Sequence, residues 1–207
     1  MELNGLHLGC GNKLYKGYVN TDIKMPKYIH DDAVFAYLDM DGFTSTMKWV
    51  VDPKNHKEDV LGLLHTEDEF LGGHKVFNNG IFDSVIAIHC LEHVGAKPHI
   101  YKFIWQELYR ICRNKAVIKV VVPHPRHDNF LNDPTHVRVI TPAGLQMLSK
   151  KFNEECIANG YSNSTLGIDW GVDFEIKHWT ANRVADGDGD RMNNIFSEYE
   201  IIMEAVK

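Results

Sequence analysis

Leu6-His7-Leu8-Gly9-Cys10-Gly11-Asn12, followed by Tyr18-Val19-Asn20-Thr21-Asp22-Ile23, decides how the rest of the chain is read. A short apolar run ends in Gly-Cys-Gly, the pattern of a strand entering a tight loop. Glycines there admit φ > 0 and let a ligand approach the backbone without meeting a Cβ. A second apolar run ends in an acidic residue, Asp22. In open α/β sheets ligands bind beyond the carboxyl ends of the strands, and an acidic side chain at the second strand end can accept ribose hydroxyls. The pair reads as a nucleoside site. The bland alternative is a glycine turn between two core strands, with Asp22 as a solvated cap.

The dinucleotide fingerprint G-x-G-x-x-G would need a third glycine where Leu14 stands, and its acidic residue should lie further on than Asp22. With Asp22 placed as it is, the stretch instead resembles the first motif of class I S-adenosylmethionine-dependent methyltransferases. More narrowly it resembles a subfamily of small predicted methyltransferases that open Leu-x-Leu-Gly-Cys-Gly and continue Gly-Tyr/Trp-Val-Asn-x-Asp. Further along, Phe82 to His89 has a buried-strand pattern and leads into Cys90-Leu91-Glu92-His93-Val94. Leu-Glu-His-Val commonly follows the fourth strand of that class. Glu107-Leu108-Tyr109-Arg110-Ile111 is similar to the family's Glu-Leu-x-Arg-Val/Ile.

The resemblance implies a doubly wound, Rossmann-like, mostly parallel seven-stranded α/β sheet with an antiparallel last strand and helices on both faces. It also implies S-adenosyl-L-methionine as cofactor. The residues implied to hold it are Gly9, Cys10, Gly11, Asn12, Asp22, Ile23, Asp39, Met40 and His89. For Asp39 the alternative is an Asx turn on its own backbone.

At 207 residues the chain is long enough for one α/β core, and residues 1–207 are expected to form a single domain with a long insertion at about 42–80. His56 to His65 within that insertion has helical spacing, and segments of this length are lids or plain surface loops. Net charge is −6, with no basic run, which argues against duplex nucleic acid. Cys10, Cys90, Cys112 and Cys156 are scattered, which suits free thiols and a cytoplasmic setting. No apolar run approaches a membrane span, and no signal peptide is expected. The partner is then a small-molecule, sugar or side-chain methyl acceptor; the sequence leaves the oligomeric state open.

Between Gly11 and Val19 there is little room for a crossover helix, so the usual first helix is expected to shrink to a turn. Val34 to Leu38 reads as a third strand. A helix is expected from Lys97 or Pro98 to Cys112, with Ile100, Phe103, Ile104, Leu108 and Ile111 on one stripe. Ala116 to Val122 reads as a central strand buried on both faces. Thr141-Pro142 reads as a helix start, with Leu145, Leu148 and Phe152 on its inner face. Asp173–Trp179 and Tyr199–Val206 are the last strands. Asp186 to Asp190 resembles the opening of a calcium loop, but the sixth and twelfth positions are Arg191 and Ser197, so a turn is expected.

Twelve histidines are unusual, and several cluster past the fifth strand, in His124-Pro125-Arg126-His127-Asp128 and Asp133-Pro134-Thr135-His136-Val137-Arg138. Three readings stand. His127 or His136 is a general base with Asp128 or Asp133 fixing its tautomer. Alternatively His124, His127, Asp128 and His136 bind a divalent metal. In the third, they cap turns. His93 and His89 lie at the fourth strand's end, where the resemblance puts the donor and acceptor, so the candidate catalytic set is His127, His136, Asp128 and His93. The rival functions are a histidine-based metal-dependent hydrolase and a non-catalytic nucleoside-binding module of the same fold.

Overall fold

Gly5–Leu8 (β1) is buried along its whole length because it is paired on both sides, in parallel with Tyr18–Asp22 (β2) and with Phe82–Ile88 (β4). The computed structural model describes residues 4–24, 26–27, 33–37, 40, 77–184 and 193–207. The insertion through residue 76, the helical spacing at His56–His65, Asp39 and the Asp186–Asp190 turn therefore lie outside the described residues. Among those described, seven strands form one sheet. Val34–Tyr37 (β3), Cys112–Pro123 (β5), Phe174–Arg183 (β6) and Phe196–Ala205 (β7) complete it, in the order β3-β2-β1-β4-β5-β7-β6. β7 runs antiparallel to both β5 and β6, and the other pairings are parallel. This is the expected mostly parallel sheet. Chain order reverses between β1 and β4, and that switch point opens a crevice at the strands' carboxyl ends.

No helix forms between β1 and β2; Gly9 to Gly17 is built from turns. Asn20, buried on β2, takes over the missing helix's role. Its Nδ2 donates to the carbonyls of Tyr15, Tyr18 and Val34 at 3.0–3.1 Å. Its Oδ1 accepts from Tyr15 N–H at 2.8 Å and from His7 Nδ1 at 3.1 Å.

Pro98–Ile111 (α1) starts with proline in its first turn, and buries Ile104, Trp105, Leu108 and Ile111. Ile100 and Phe103 pack at the core's margin. Arg110 ties this helix to the approach of β4: it donates to Phe77 O and Asn79 Oδ1 and pairs with Glu107. β5 begins directly after α1, earlier than the apolar run suggests. It is not buried on both faces throughout, since Val117 is 44% exposed. The expected helix at Thr141 is two helices. Pro142–Gln146 (α3) is capped by Thr141, whose Oγ1 accepts from Gly144 N–H at 3.1 Å. Lys150–Ala158 (α4) has its own cap, Ser149. The break follows from Met147, whose carbonyl accepts from Asn153 Nδ2 and Gly167 N–H instead of continuing a helix. Asp128–Leu131 (α2) and Leu166–Trp170 (α5) are single turns. β6 runs on past its expected end at Trp179, and β7 begins before its expected start at Tyr199. Among the described residues no helix is long and apolar enough to cross a membrane.

His7 is buried between β2 and β4, and burial pushes its pKa below the ordinary 6.5, against smaller raising effects from Asn20 and Asp22. Because the folded state disfavours the proton, the stability His7 contributes is complete above about 6.5 and is lost as pH falls from there through the lowered folded value. Denaturant unfolding of the native chain and His7→Gln at pH 7.5 and 5.5 should show the native chain losing more stability on acidification. Equal losses would mean that His7 is not held neutral.

Candidate functional site

The chain leaves β1 through Gly9 and Gly11, both in the left-handed region at φ +61° and +53°. Gly9 has no alternative: a Cβ there would meet Cys90 Sγ at 2.6 Å. At Gly11 nothing lies within 4 Å, so the loop is open on that side. Gly11 N–H donates to Asp22 Oδ2 and Lys24 N–H donates to Asp22 Oδ1, both at 2.9 Å. The carboxylate at the end of β2 is thus fixed against the glycine loop. Each of its oxygens keeps a second acceptor position.

A cavity of about 470 Å³ opens here, of the size that takes a nucleoside-bearing ligand. Gly9, Asp22, Ile23, Lys24 and Met40 line one side; His89, Cys90, His93, Val94 and Thr135 line the other. Ile23 is an apolar side chain left 64% exposed. Of the residues singled out in the sequence, Gly9, Asp22, Ile23, Met40, His89 and His93 meet at this cavity. Gly11 touches it through Asp22. Asn12 closes the loop's outer side, its Oδ1 accepting from Lys27 N–H at 2.8 Å. Cys10 is buried and burial pushes its thiol up to about 12, so it supplies packing and no thiolate.

His89 ends β4 with φ +50°, a conformation uncommon outside glycine and a mark of functional sites. Its ring stands between two carboxylates, Nδ1 3.5 Å from Glu92 Oε1 and Nε2 3.2 Å from Glu198 Oε2. Glu92, then Glu198, hold its pKa above the ordinary value against the effect of burial. Leu91–His93 forms a single 3₁₀ turn, and the Glu92 carbonyl accepts from Val137 N–H at 2.8 Å and Arg138 N–H at 3.2 Å. That pairing brings His136 against His93, with ring centroids 4.6 Å apart.

The remaining histidines disperse. His127 caps α2, its Nδ1 accepting from Asn129 N–H at 3.0 Å, and does not line the cavity. Asp128 is exposed, with its N–H donated to Asn194 Oδ1. His124 packs on Tyr199 and Phe196, and its pKa is lowered by burial and then by Arg126. Of the four residues considered as metal ligands, only His136 joins a close set of donors, and its partners there are Glu92 and His93. Glu92, Val94, Cys90, Lys24 and Thr135 were not singled out for the site from sequence. The one available signal was Leu91-Glu92-His93-Val94, in which the glutamate stood beside a candidate histidine.

No family model and no curated protein matches the chain. Solved structures do match. An S-adenosylmethionine-dependent methyltransferase from Archaeoglobus fulgidus aligns over 97% of this chain and 85% of its own, at 17% identity and a TM-score of 0.54. One from Methanosarcina mazei aligns over 100% and 94%, at 13% identity and 0.46. One from Mesorhizobium loti aligns over 98% and 91%, at 12% and 0.45. With the strand order and the antiparallel β7, the first of these shows the fold: that of the class I S-adenosylmethionine-dependent methyltransferases.

The left-handed backbone at Gly9 and its contact with Cys90 predict a steep cost for a side chain. Gly9→Ala should lower stability by about 2 kcal/mol or more, and Tm by roughly 4–8 °C. Gly11→Ala, which meets open space, should cost about half as much. Equal Tm values for the two variants would show that the Cys90 contact does not constrain the loop.

Proposed function

We propose that the chain is an S-adenosylmethionine-dependent methyltransferase acting on an oxygen or nitrogen acceptor carried by a small molecule, a sugar or a protein side chain. The observation that carries this reading is the Gly11–Asp22 hydrogen bond at the mouth of the β1/β4 switch point. It fixes a carboxylate with spare acceptor positions beside an open glycine loop, over an apolar floor of Ile23 and Met40. Those residues fit a ribose with an adjoining base, and Gly9 leaves the backbone bare for the amino-acid portion. Asp22 takes the ribose hydroxyls, and Ile23 and Met40 pack on the adenine. Asp39 is proposed alongside them from its place after β3. When bound, the donor supplies an electrophilic sulfonium methyl.

His89, His93 and Thr135 form the opposite wall, so the acceptor enters from their side. Their first task is alignment of acceptor and methyl, an effect worth about 7 kcal/mol or more when geometry is near attack. His93 is the group of the candidate catalytic set that faces the cavity, with His136 behind it. His127 is assigned to the capping of α2, and Asp128 to its exposed first turn.

Titration of the chain with S-adenosylhomocysteine and with NAD should give binding for the first alone. Loss of hydrogen bonds to a charged group costs about 1.5–3 kcal/mol, so Asp22→Ala should weaken that binding at least about tenfold. Asp22→Asn, which keeps one of the two acceptor oxygens, should fall between the two, with thermal unfolding reporting any change in the fold. A native chain that ignores S-adenosylhomocysteine would refute the donor assignment; equal affinity in Asp22→Ala would remove Asp22 from it.

A further inference from the structure

Glu92 is 1% exposed, and among the described residues neither of its carboxylate oxygens has a hydrogen-bond partner. A buried carboxylate without hydrogen bonds is costly, and buried charges are paired or coordinate metals. Among the described residues only the His89 ring approaches it as an ion-pair partner, at 3.5 Å and from a half-exposed position. On its other side stand His93 and His136, and one donor atom from each of the three residues lies within 4.8 Å of the others.

Hydrogen bonds define which ring nitrogens are available. Thr135 Oγ1 donates its single proton to Asp133 Oδ1 at 2.6 Å, so it can only accept from His93 Nδ1 at 2.9 Å. The Phe130 carbonyl can only accept, so His136 Nδ1 donates to it at 2.8 Å. Both neutral rings therefore carry their lone pair on Nε2. This is the outer-shell arrangement that orients metal-binding imidazoles: each ligand's second nitrogen is tied to a carbonyl or, through a hydroxyl, to a carboxylate. Phe130 also stacks on the His136 ring at 5.1 Å, and that side chain is 6% exposed, so the ring is fixed before any ion arrives.

We propose that Glu92, His93 and His136 form a binding site for a first-row divalent cation such as Zn²⁺, Co²⁺ or Mn²⁺, open towards the cavity through His93 and Thr135. Two imidazoles and one carboxylate suit these ions better than Mg²⁺ or Ca²⁺, and three protein ligands leave a position for an exogenous oxygen. Binding of the cation is independent of the methyltransferase reading. Its role rests on that reading: the open position selects an acceptor with a coordinating hydroxyl. That hydroxyl releases its proton to solvent and its oxygen forms the bond to the methyl carbon. The C–S bond breaks with its electron pair left on sulfur, giving a methyl ether and a neutral thioether.

The test uses the full chain stripped with a chelator and titrated with Co²⁺, followed by visible absorption, and with Zn²⁺, followed by calorimetry. One ion per chain at micromolar or tighter affinity is expected. Glu92→Gln should weaken binding by more than about tenfold. Thr135→Val, at an exposed position, removes the hydroxyl that accepts from His93 and donates to Asp133, and should weaken it about 10- to 100-fold. S-adenosylhomocysteine titration of the stripped chain, run in parallel, reports the donor site separately, so either site can fail while the other stands. Millimolar or absent binding in the native chain would overturn the metal site and leave Glu92 as the ion-pair partner of His89. Unchanged affinity in both Glu92→Gln and Thr135→Val would overturn it equally, by placing the ion elsewhere.

Discussion

The hydrogen bonds of Asn20 are the constraint on which the ligand-facing end of this fold depends. Parallel strands need a crossover, usually a helix whose packing fixes the loop before it. Here the crossover has no helix, and nothing in Gly9–Gly17 carries an apolar stripe that could hold it down. One amide compensates by joining three carbonyls, one backbone N–H and the His7 ring, on three neighbouring strands and the loop between two of them. Removing it would leave several buried groups unsatisfied together, each costing about 1–3 kcal/mol. The amide in the centre of β2 is therefore structural.

The consequence is geometric. With the crossover held close to the sheet edge, Gly11 comes back to Asp22, and the carboxylate is oriented by backbone donors from two directions. A helix at this point would offer its N-terminal N–H groups to the ligand. This chain offers a carboxylate and bare backbone instead. That arrangement suits the hydroxyls of a ribose and the ammonium of an amino acid better than a pyrophosphate, in keeping with a nucleoside donor over a dinucleotide.

Local signals made most of the sheet legible. β1, β2 and β4 were readable because their apolar runs end in glycine, aspartate and histidine, and α3 because threonine and proline mark a helix start. The single helix expected after Thr141 failed because apolar spacing continues through Leu148 and Phe152 while the backbone does not; Ser149 is a second cap inside the run. Val117 defeated the expectation of a fully buried β5, because composition cannot tell which stretch of a sheet face lies uncovered. On the site, the glycine loop and Asp22 were legible and the histidine cluster was not. His127 and His136 look equivalent in sequence, each following a polar loop residue and preceding a short run. What separates them is the Glu92 carbonyl, which pairs with Val137 and Arg138 and draws His136 alone against His93.

That carbonyl also explains why Glu92 is buried. The 3₁₀ turn that presents His93 to the cavity points its middle residue inward, and the segment from Asp133 to Arg138 then closes over it. An apolar residue would fill such a position at lower cost, since replacing a buried charge with a hydrophobe of similar volume is often neutral or stabilising. The fold instead surrounds the carboxylate with three imidazoles. Two of these have their Nδ1 atoms committed elsewhere, and the third sits on strained backbone at the end of β4. Stability alone does not account for that arrangement; a charge that enters from the cavity side does, and the donor wall and the acceptor wall then differ in kind. One is a fixed carboxylate reading hydroxyls, the other a set of imidazole nitrogens around a second, buried carboxylate.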